Sequence, residues 1–379
     1  MNGTMSIVTS NPGSIPPLRF ITSSGYPMLN DEEDVQNRLP TDKDMQVLTP
    51  SQAQHIFKST HATRIDGANF LVNDPSQLIT HYYHYTAELL FGLWRTYSSL
   101  DPYITADGHT TLPPPRRLIF NHVNSTSWRD YAAMNQWVTR GAFPSISFEF
   151  SDDWTDRASM DVPFVFERVV LADRAAASNG PFHAKTWRTA SEAFALRGSP
   201  HWWDPIRANV LAFSGLAPEW IYGPGMGLGR KGREQETFVI TYVSRQAWGR
   251  RMLRQGDHDA LVGELYGLRN RYGYEVNVVN MDKLSRAEQF QLAGRTTVSG
   301  VLFIPFYFFV CVLGERFGLP VMISFADHDG RTRQRPHLPR LDATHASFNS
   351  HRVLLRRRLC IRLRVHHTGA RHGTLRRLV

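Results

Sequence analysis

The sequence predicts an α/β protein built on parallel sheets, and three observations predict it. Apolar strand-like runs and helical periods alternate as β-α-β-α over residues 237–295; a less regular alternation runs from 116 to 196; and a segment rich in glycine and charge, 221–236, separates the two. Strands that follow one another through helices must pair in parallel by crossovers, which puts helices on both faces of the sheet. The 379 residues suffice for two such domains, and 42% hydrophobic with 12% aromatic residues excludes a disordered or coiled-coil chain.

In chain order, residues 1–50 are rich in Pro, Ser, Asn and Asp without a sustained period, and they read as a loose leader. The first α/β domain is expected over 51–220. Within it QLITHYYHYTAELLFGLWRTYSSL (77–100) places Leu78, Tyr82, Tyr85, Leu89 and Leu93 at helical spacing until Asp101-Pro102 stops it. RRLIFNHV reads as a buried strand, WRDYAAMNQWV as a helix, VPFVFERVVLAD (162–173) as a strand, and Thr186 to Leu196 as helical. Residues 221–236 read as a linker, since no apolar strand feeds their spaced glycines and no helix opens directly after them. In the second unit, 237–297, TFVITYVSR is a strand, Gln246 to Gln255 a short helix, and Asp257 to Arg271 a longer helix ending before Gly273. YEVNVVNM is the next strand, and Ser285 with Glu288 forms a capping box that opens SRAEQFQLAGR. Parallel sheets bind ligands at the carboxyl ends of their strands, which places Ser244, Arg245, Asn280 and Met281 at the rim.

The charge is unevenly spread. Lys plus Arg number 43 against 34 Asp plus Glu, net +9, yet Ala326 to Val379 alone holds 13 Arg and three Asp, with neither Lys nor Glu. The first 325 residues are therefore nearly neutral, so the basicity points to no polyanionic partner, and nucleic acid is not expected. Two cysteines, Cys311 and Cys360, make neither a disulfide framework nor a CxxC metal site. The N-terminus shows no basic region followed by an apolar run, hence no signal or anchor in the chain as written. The one long apolar run, 298–314, is at the short edge of what a membrane helix needs.

Two clusters carry residue types suited to chemistry. His84 and Glu88 are four apart on an expected helix, with His81 three before His84, so an imidazole and a carboxylate can reach one substrate as a general base. The alternative is a helix whose polar groups are simply solvated or hydrogen-bonded. Arg245 at a strand end, with Arg250, Arg251 and Arg254 beyond it, makes an anion site, because guanidinium forks and a helix N-terminus both favour phosphate. A solvated basic helix face is the alternative there. The Asp327-His328-Asp329 motif lies too late in the chain to be read as a transferase metal site, and no metal is expected.

The runs HYYHYTAELLFGLWRTYSSLDP, ISFEFSDDW, RGSPHWWDPIRANV, ITYVSRQAWGRRMLRQGDHDALVGEL and GYEVNVVNMDKLSRAEQFQLAGRTT resemble glycosyltransferase family 61, in its fungal branch, over roughly residues 55 to 297. That resemblance implies a GT-B-like fold, two Rossmann-like domains facing across a cleft, the second incomplete in this chain. It implies inverting transfer of a sugar from a nucleotide-sugar donor, UDP-linked, to a glycan or glycoprotein hydroxyl, with no further cofactor. His84 and Glu88 match the family's His followed four residues later by an acid, Glu standing where Asp is common. Glu88, oriented by His84, would take the acceptor proton; Arg245 with Arg250 or Arg251 would contact the donor diphosphate. The resemblance also implies the ER or Golgi lumen or membrane, with which the sequon Asn124-Ser125-Thr126 is compatible.

After Thr297 the chain departs from the family, which continues with a strand and a glycine turn of the form MMGVHGNGLT. Val298-Ser299 can be encoded GTRAGT, a splice-donor sequence, and Ala326-Asp327 as GCAGAY, which supplies an acceptor AG. The interval is 29 codons plus one base, 88 nucleotides, not a multiple of three. With the first base of codon 327 removed, Asp-His-Asp-Gly-Arg-Thr-Arg-Gln-Arg-Pro-His permits Ile/Thr-Met-Met-Gly-Val-His-Gly-Asn-Gly-Leu-Thr, the absent motif. Residues 298–326 thus read as retained intron and 327–379 as an out-of-frame exon, with transferase activity impaired in this chain. The competing reading is a non-enzymatic protein tethered by a membrane segment at 298–323 with a basic tail; a third is an inactive structural relative.

Overall fold

A computed structural model describes residues 3–29, 31–58, 62–186, 189, 191–222, 238–248, 252–304, 307–312 and 321–326. The fold is mixed α/β, as expected. Strands β1 (Met5–Val8) and β2 (Met45–Leu48) pair in parallel. Four more, β3 (Thr63–Val72), β4 (Arg117–Phe120), β5 (Ser147–Glu149) and β6 (Phe164–Ala172), form a parallel sheet in the order β5-β4-β3-β6. The chain thus moves outward from β3 in one direction and then returns to its other side. Between β3 and β6 the connections diverge, and the crevice beyond their carboxyl ends is where such sheets take ligands.

The central strand β3 has no clear alternation in its sequence. Its first half is polar, and Gly67, with φ of +84°, sits where the β3–β6 register shifts between Ile65 and Ala68. A residue with a Cβ would be strained there and would also meet the Arg116 side chain at 2.6 Å. Beyond the bulge, Ala68, Phe70, Leu71 and Val72 are all buried. Ala68, Phe70 and Val72 join Leu118, Phe120, Tyr85, Leu93, Tyr97 and Val138 in one core, each large side chain contributing roughly 1.5–3 kcal/mol by leaving water. Phe70 meets Tyr97 edge to face at 5.7 Å, and the Tyr85 hydroxyl shares a 2.7 Å hydrogen bond with Thr139 Oγ1.

Two expected helices of the first unit differ. The period over 77–100 is interrupted: a short turn, Ser76–Ile79, precedes a π-helical segment, His84–Leu90, that runs directly into the α-helix Phe91–Ser98. The apolar stripe still faces inward through Tyr85, Leu89 and Leu93. WRDYAAMNQWV becomes helical only at Met134, because Asp130 Oδ1 accepts from Asn135 N at 2.8 Å and holds the preceding residues in a loop.

The leader expected to be loose is built into this domain. Besides the β1–β2 pair, Thr22 and Ser23 are buried at the carboxyl end of the sheet. Asp173 Oδ2 accepts from Ser23 N at 2.6 Å and from Ser23 Oγ at 2.9 Å, and Asn73 Nδ2 donates to Ser23 O at 2.9 Å. Its polar composition serves hydrogen bonds across the strand ends rather than solvation, something a periodicity argument does not see.

In the second unit β7 (Val239–Val243), β8 (Glu275–Val279) and β9 (Val298–Ile304) are parallel, with β7 between the others. The helix Gln255–Tyr272 ends on Gly273 in the left-handed region (φ 72°), and Ser285 and Glu288 close their capping box on Arg286–Arg295, as expected. Among the described residues of the helix expected from Gln246 to Gln255, Gln246–Trp248 form a turn, 252–254 are not helical and Gln255 opens the next helix, while Leu253 N donates to Gln246 Oε1 at 3.0 Å. The linker residues 223–236 and the tail 327–379 lie outside the described residues. Within the apolar run β9 is followed by antiparallel β10 (Tyr307–Val312), and beyond the run β11 (Val321–Ala326) pairs antiparallel with β10. The described residues of the run therefore extend the sheet where a membrane helix was the alternative, and among the described residues no helix is long and apolar enough to cross a membrane.

One helix joins the units. Arg286–Arg295 stacks Phe290 on Trp137 (4.6 Å between centroids) and sends Arg286 Nε to Ala132 O at 2.8 Å. Gly294 lies against Leu211 and Leu216, where a Cβ would come within 2.6 Å of Leu211.

Candidate functional site

The divergence of β3 and β6 delivers four polar residues to one place: Asn73 and Asp74 follow β3, and Asp173 and Arg174 follow β6. Arg174 N donates to Asp74 Oδ1 at 2.7 Å. Asn73 Nδ2 donates to Asp173 Oδ2 at 2.8 Å, while Asn73 Oδ1 accepts from Asn121 Nδ2 at 2.7 Å and lies 3.0 Å from His122 Nε2. The strand ends are thus tied to each other and to the turn after β4.

The π-helical segment brings the two predicted base residues against these strand ends. His84 Nδ1 lies 2.7 Å from Glu88 Oε2, as helical spacing predicted. The same oxygen is contacted by Arg174 Nη2, and both the carboxylate and the guanidinium are 10% exposed. Burial alone would push Glu88 up, but the His84 hydrogen bond and the Arg174 charge outweigh it and hold its carboxyl below the usual range. Arg174 Nε is buried with no hydrogen-bond partner among the described residues. His84 is more open, 31% exposed, with the His81 ring 4.9 Å away. The arrangement offers an oriented imidazole and carboxylate beside an open face, the groups proton abstraction needs.

Arg245 sits two residues past β7, half-buried, at the carboxyl end of the second sheet. Arg250 and Arg251 lie outside the described residues, as does Asp327-His328-Asp329. Among the described residues no group of His, Cys, Asp or Glu is placed to hold a metal ion. An open groove of about 480 Å³ runs between Gly215–Trp220 and the helix Arg286–Arg295, lined in part by Trp220, Asn277 and Arg295 and by no residue of the His84 cluster. Compared with protein-family models and with curated proteins, the chain gives no match.

Sequence reasoning missed Arg174, Asp74, Asp173 and Asn73. The signal was available for two of them: VPFVFERVVLAD was read as a strand, and the strand-end rule applied to it points straight at Asp173 and Arg174. Asp74 could not be reached that way, because β3 itself was not recognised.

Asp74 is 5% exposed and is pushed up to about 7, first by loss of water and then by the charge of Asp173. An unfolded Asp titrates near about 3.9, so between those values the folded chain keeps a proton that the unfolded chain has released. This contribution to stability is present below about pH 4 and is lost as pH rises through about 7. Thermal unfolding of Asp74→Asn, whose Oδ1 still accepts from Arg174 N, should show less loss of Tm across that window than the wild type; parallel curves would refute it.

Proposed function

We propose that this fold serves inverting glycosyl transfer, with a GT-B-like division of labour between the two parallel units. The observation that carries the reading is the contact of His84 with Glu88 beside the diverging strand ends of the first sheet, where an acceptor hydroxyl can be deprotonated. Arg245 at the end of β7 supports a donor site in the second unit, shared with Arg250 and Arg251. The hydroxyl gives its proton to the His84–Glu88 pair, and its oxygen attacks the anomeric carbon from the side opposite the diphosphate. The bond from that carbon to the diphosphate breaks, and the electron pair leaves with the nucleoside diphosphate, whose charge the arginines stabilise. The donor is a nucleotide-sugar, UDP-linked, and the acceptor a glycan or glycoprotein of the ER or Golgi. Asn124 of the sequon is exposed, its Oδ1 accepting from Thr126 Oγ1 at 2.7 Å, as a lumenal setting permits.

Residues 298–326 are read as translated intron and 327–379 as out of frame, so the chain as written is an impaired transferase. UDP binding is therefore measured on the chain with the frame restored. Arg245→Ala should weaken it about 10- to 100-fold, the loss of one charge-assisted hydrogen bond. No binding of UDP by the restored chain would overturn the donor assignment.

A further inference from the structure

His84, Glu88 and Arg174 meet on one oxygen atom. Glu88 Oε2 faces His84 Nδ1 and Arg174 Nη2 together, and the arginine side chain is nine-tenths buried. Protonating a carboxylate so placed would strand the guanidinium charge away from water, so Glu88 stays ionised. An ionised carboxylate only accepts hydrogen bonds. The ring atom facing it is therefore the donor, and a neutral His84 carries its proton on Nδ1. Its lone pair is then on Nε2, which makes no hydrogen bond among the described residues, on a ring that is 31% exposed.

We propose that Arg174 is a positioning residue of this site: it locks Glu88 as a charged acceptor, Glu88 fixes the His84 tautomer, and the atom that takes the proton is His84 Nε2 rather than Glu88. The other groups around the pair do not replace this clamp. The His81 ring lies tilted and the Tyr83 ring edge-on against that of His84, the Asp74 carboxylate accepts from the Arg174 backbone, and the Asp173 carboxylate is taken by Ser23 and Asn73. In the transfer step the O–H bond of the hydroxyl breaks onto Nε2. The resulting imidazolium is stabilised through Nδ1–H by Glu88, while the new C–O bond forms and the diphosphate leaves with its electron pair.

The assignment rests on the transferase reading for the identity of the hydroxyl, but the tautomer is read without turnover. The full chain labelled with ¹⁵N in histidine is examined by long-range ¹H–¹⁵N correlation, His84 being identified by the signal lost in His84→Gln. The wild type is expected to carry the proton on Nδ1; Arg174→Gln should move the majority to Nε2–H, and Arg174→Lys should retain Nδ1–H. His201, whose Nδ1 lies 2.9 Å from Asp204 Oδ2, gauges the fold in each variant. A wild-type Nε2–H tautomer overturns the proposal, as does Nδ1–H persisting in Arg174→Gln while His201 is unchanged. Should Arg174→Gln disturb His201, Glu88→Gln takes its place, and retention of Nδ1–H there overturns the proposal equally. Failure of the restored chain to bind UDP would sink the transferase and leave the tautomer result standing.

Discussion

A chain translated without residues 298–326 and with the following frame restored is expected to transfer sugar at least about 10²-fold faster than the chain as written, the scale of losing one preorganised backbone donor to a developing anion. The sheet says where the restored segment goes. β9 pairs in parallel with β7, Ile240 opposite Val298 and Val243 opposite Val301. The Met-Met-Gly-Val run permitted by the other frame would take the same register, and its His-Gly-Asn-Gly turn would open level with Ser244 and Arg245. Successive glycines there let backbone amides approach a diphosphate closely. The segment as written instead continues into antiparallel β10 and β11, which close that side with sheet. A donor-hydrolysis and transfer assay on both chains checks the expectation. Equal turnover refutes it, and codons incompatible with the two splice signals would refute the intron reading at its source.

The second large effect concerns Glu88→Gln. With the carboxylate gone, the Arg174 guanidinium keeps its burial and loses its counter-charge, which costs about 3 kcal/mol, at the lower end because the amide oxygen still accepts a hydrogen bond. Urea unfolding of the chain as written reads this directly, and no change in midpoint would show that the buried pair contributes nothing. In the restored chain the same substitution should lower the transfer rate by about 10² to 10⁴, the range of general base catalysis. Arg174→Lys separates the two effects: it keeps a cation beside Glu88 and should retain most of the rate while losing part of the stability.

Much of the fold was legible because its elements are local. Strands β4, β6, β7 and β8 are short apolar runs closed by turn residues; the Ser285–Glu288 box and Gly273 are chemical start and stop signals that act within a few residues. β3 was not legible, since its polar first half and Gly67 bulge look like a loop until β6 is set beside it. The leader misled for a related reason: Ser, Asn and Pro describe how a segment avoids forming a core of its own, not whether another segment offers it hydrogen-bond partners.

The His84–Glu88 pairing was legible in the sequence, because residues four apart on a helical segment lie on one face, and it persists in the π-helical segment that forms there. The third member of the cluster was decided only by tertiary structure. Arg174 lies at the end of a strand far along the chain from Glu88, and only the return of β6 to the open side of β3 brings the two together. That contact bears on the proposed chemistry: a carboxylate read from sequence as a base is, beside a buried guanidinium, proposed instead as a fixed charge that orients the imidazole. Helical spacing can place two side chains on one face, but charge state depends on what the rest of the fold buries against them.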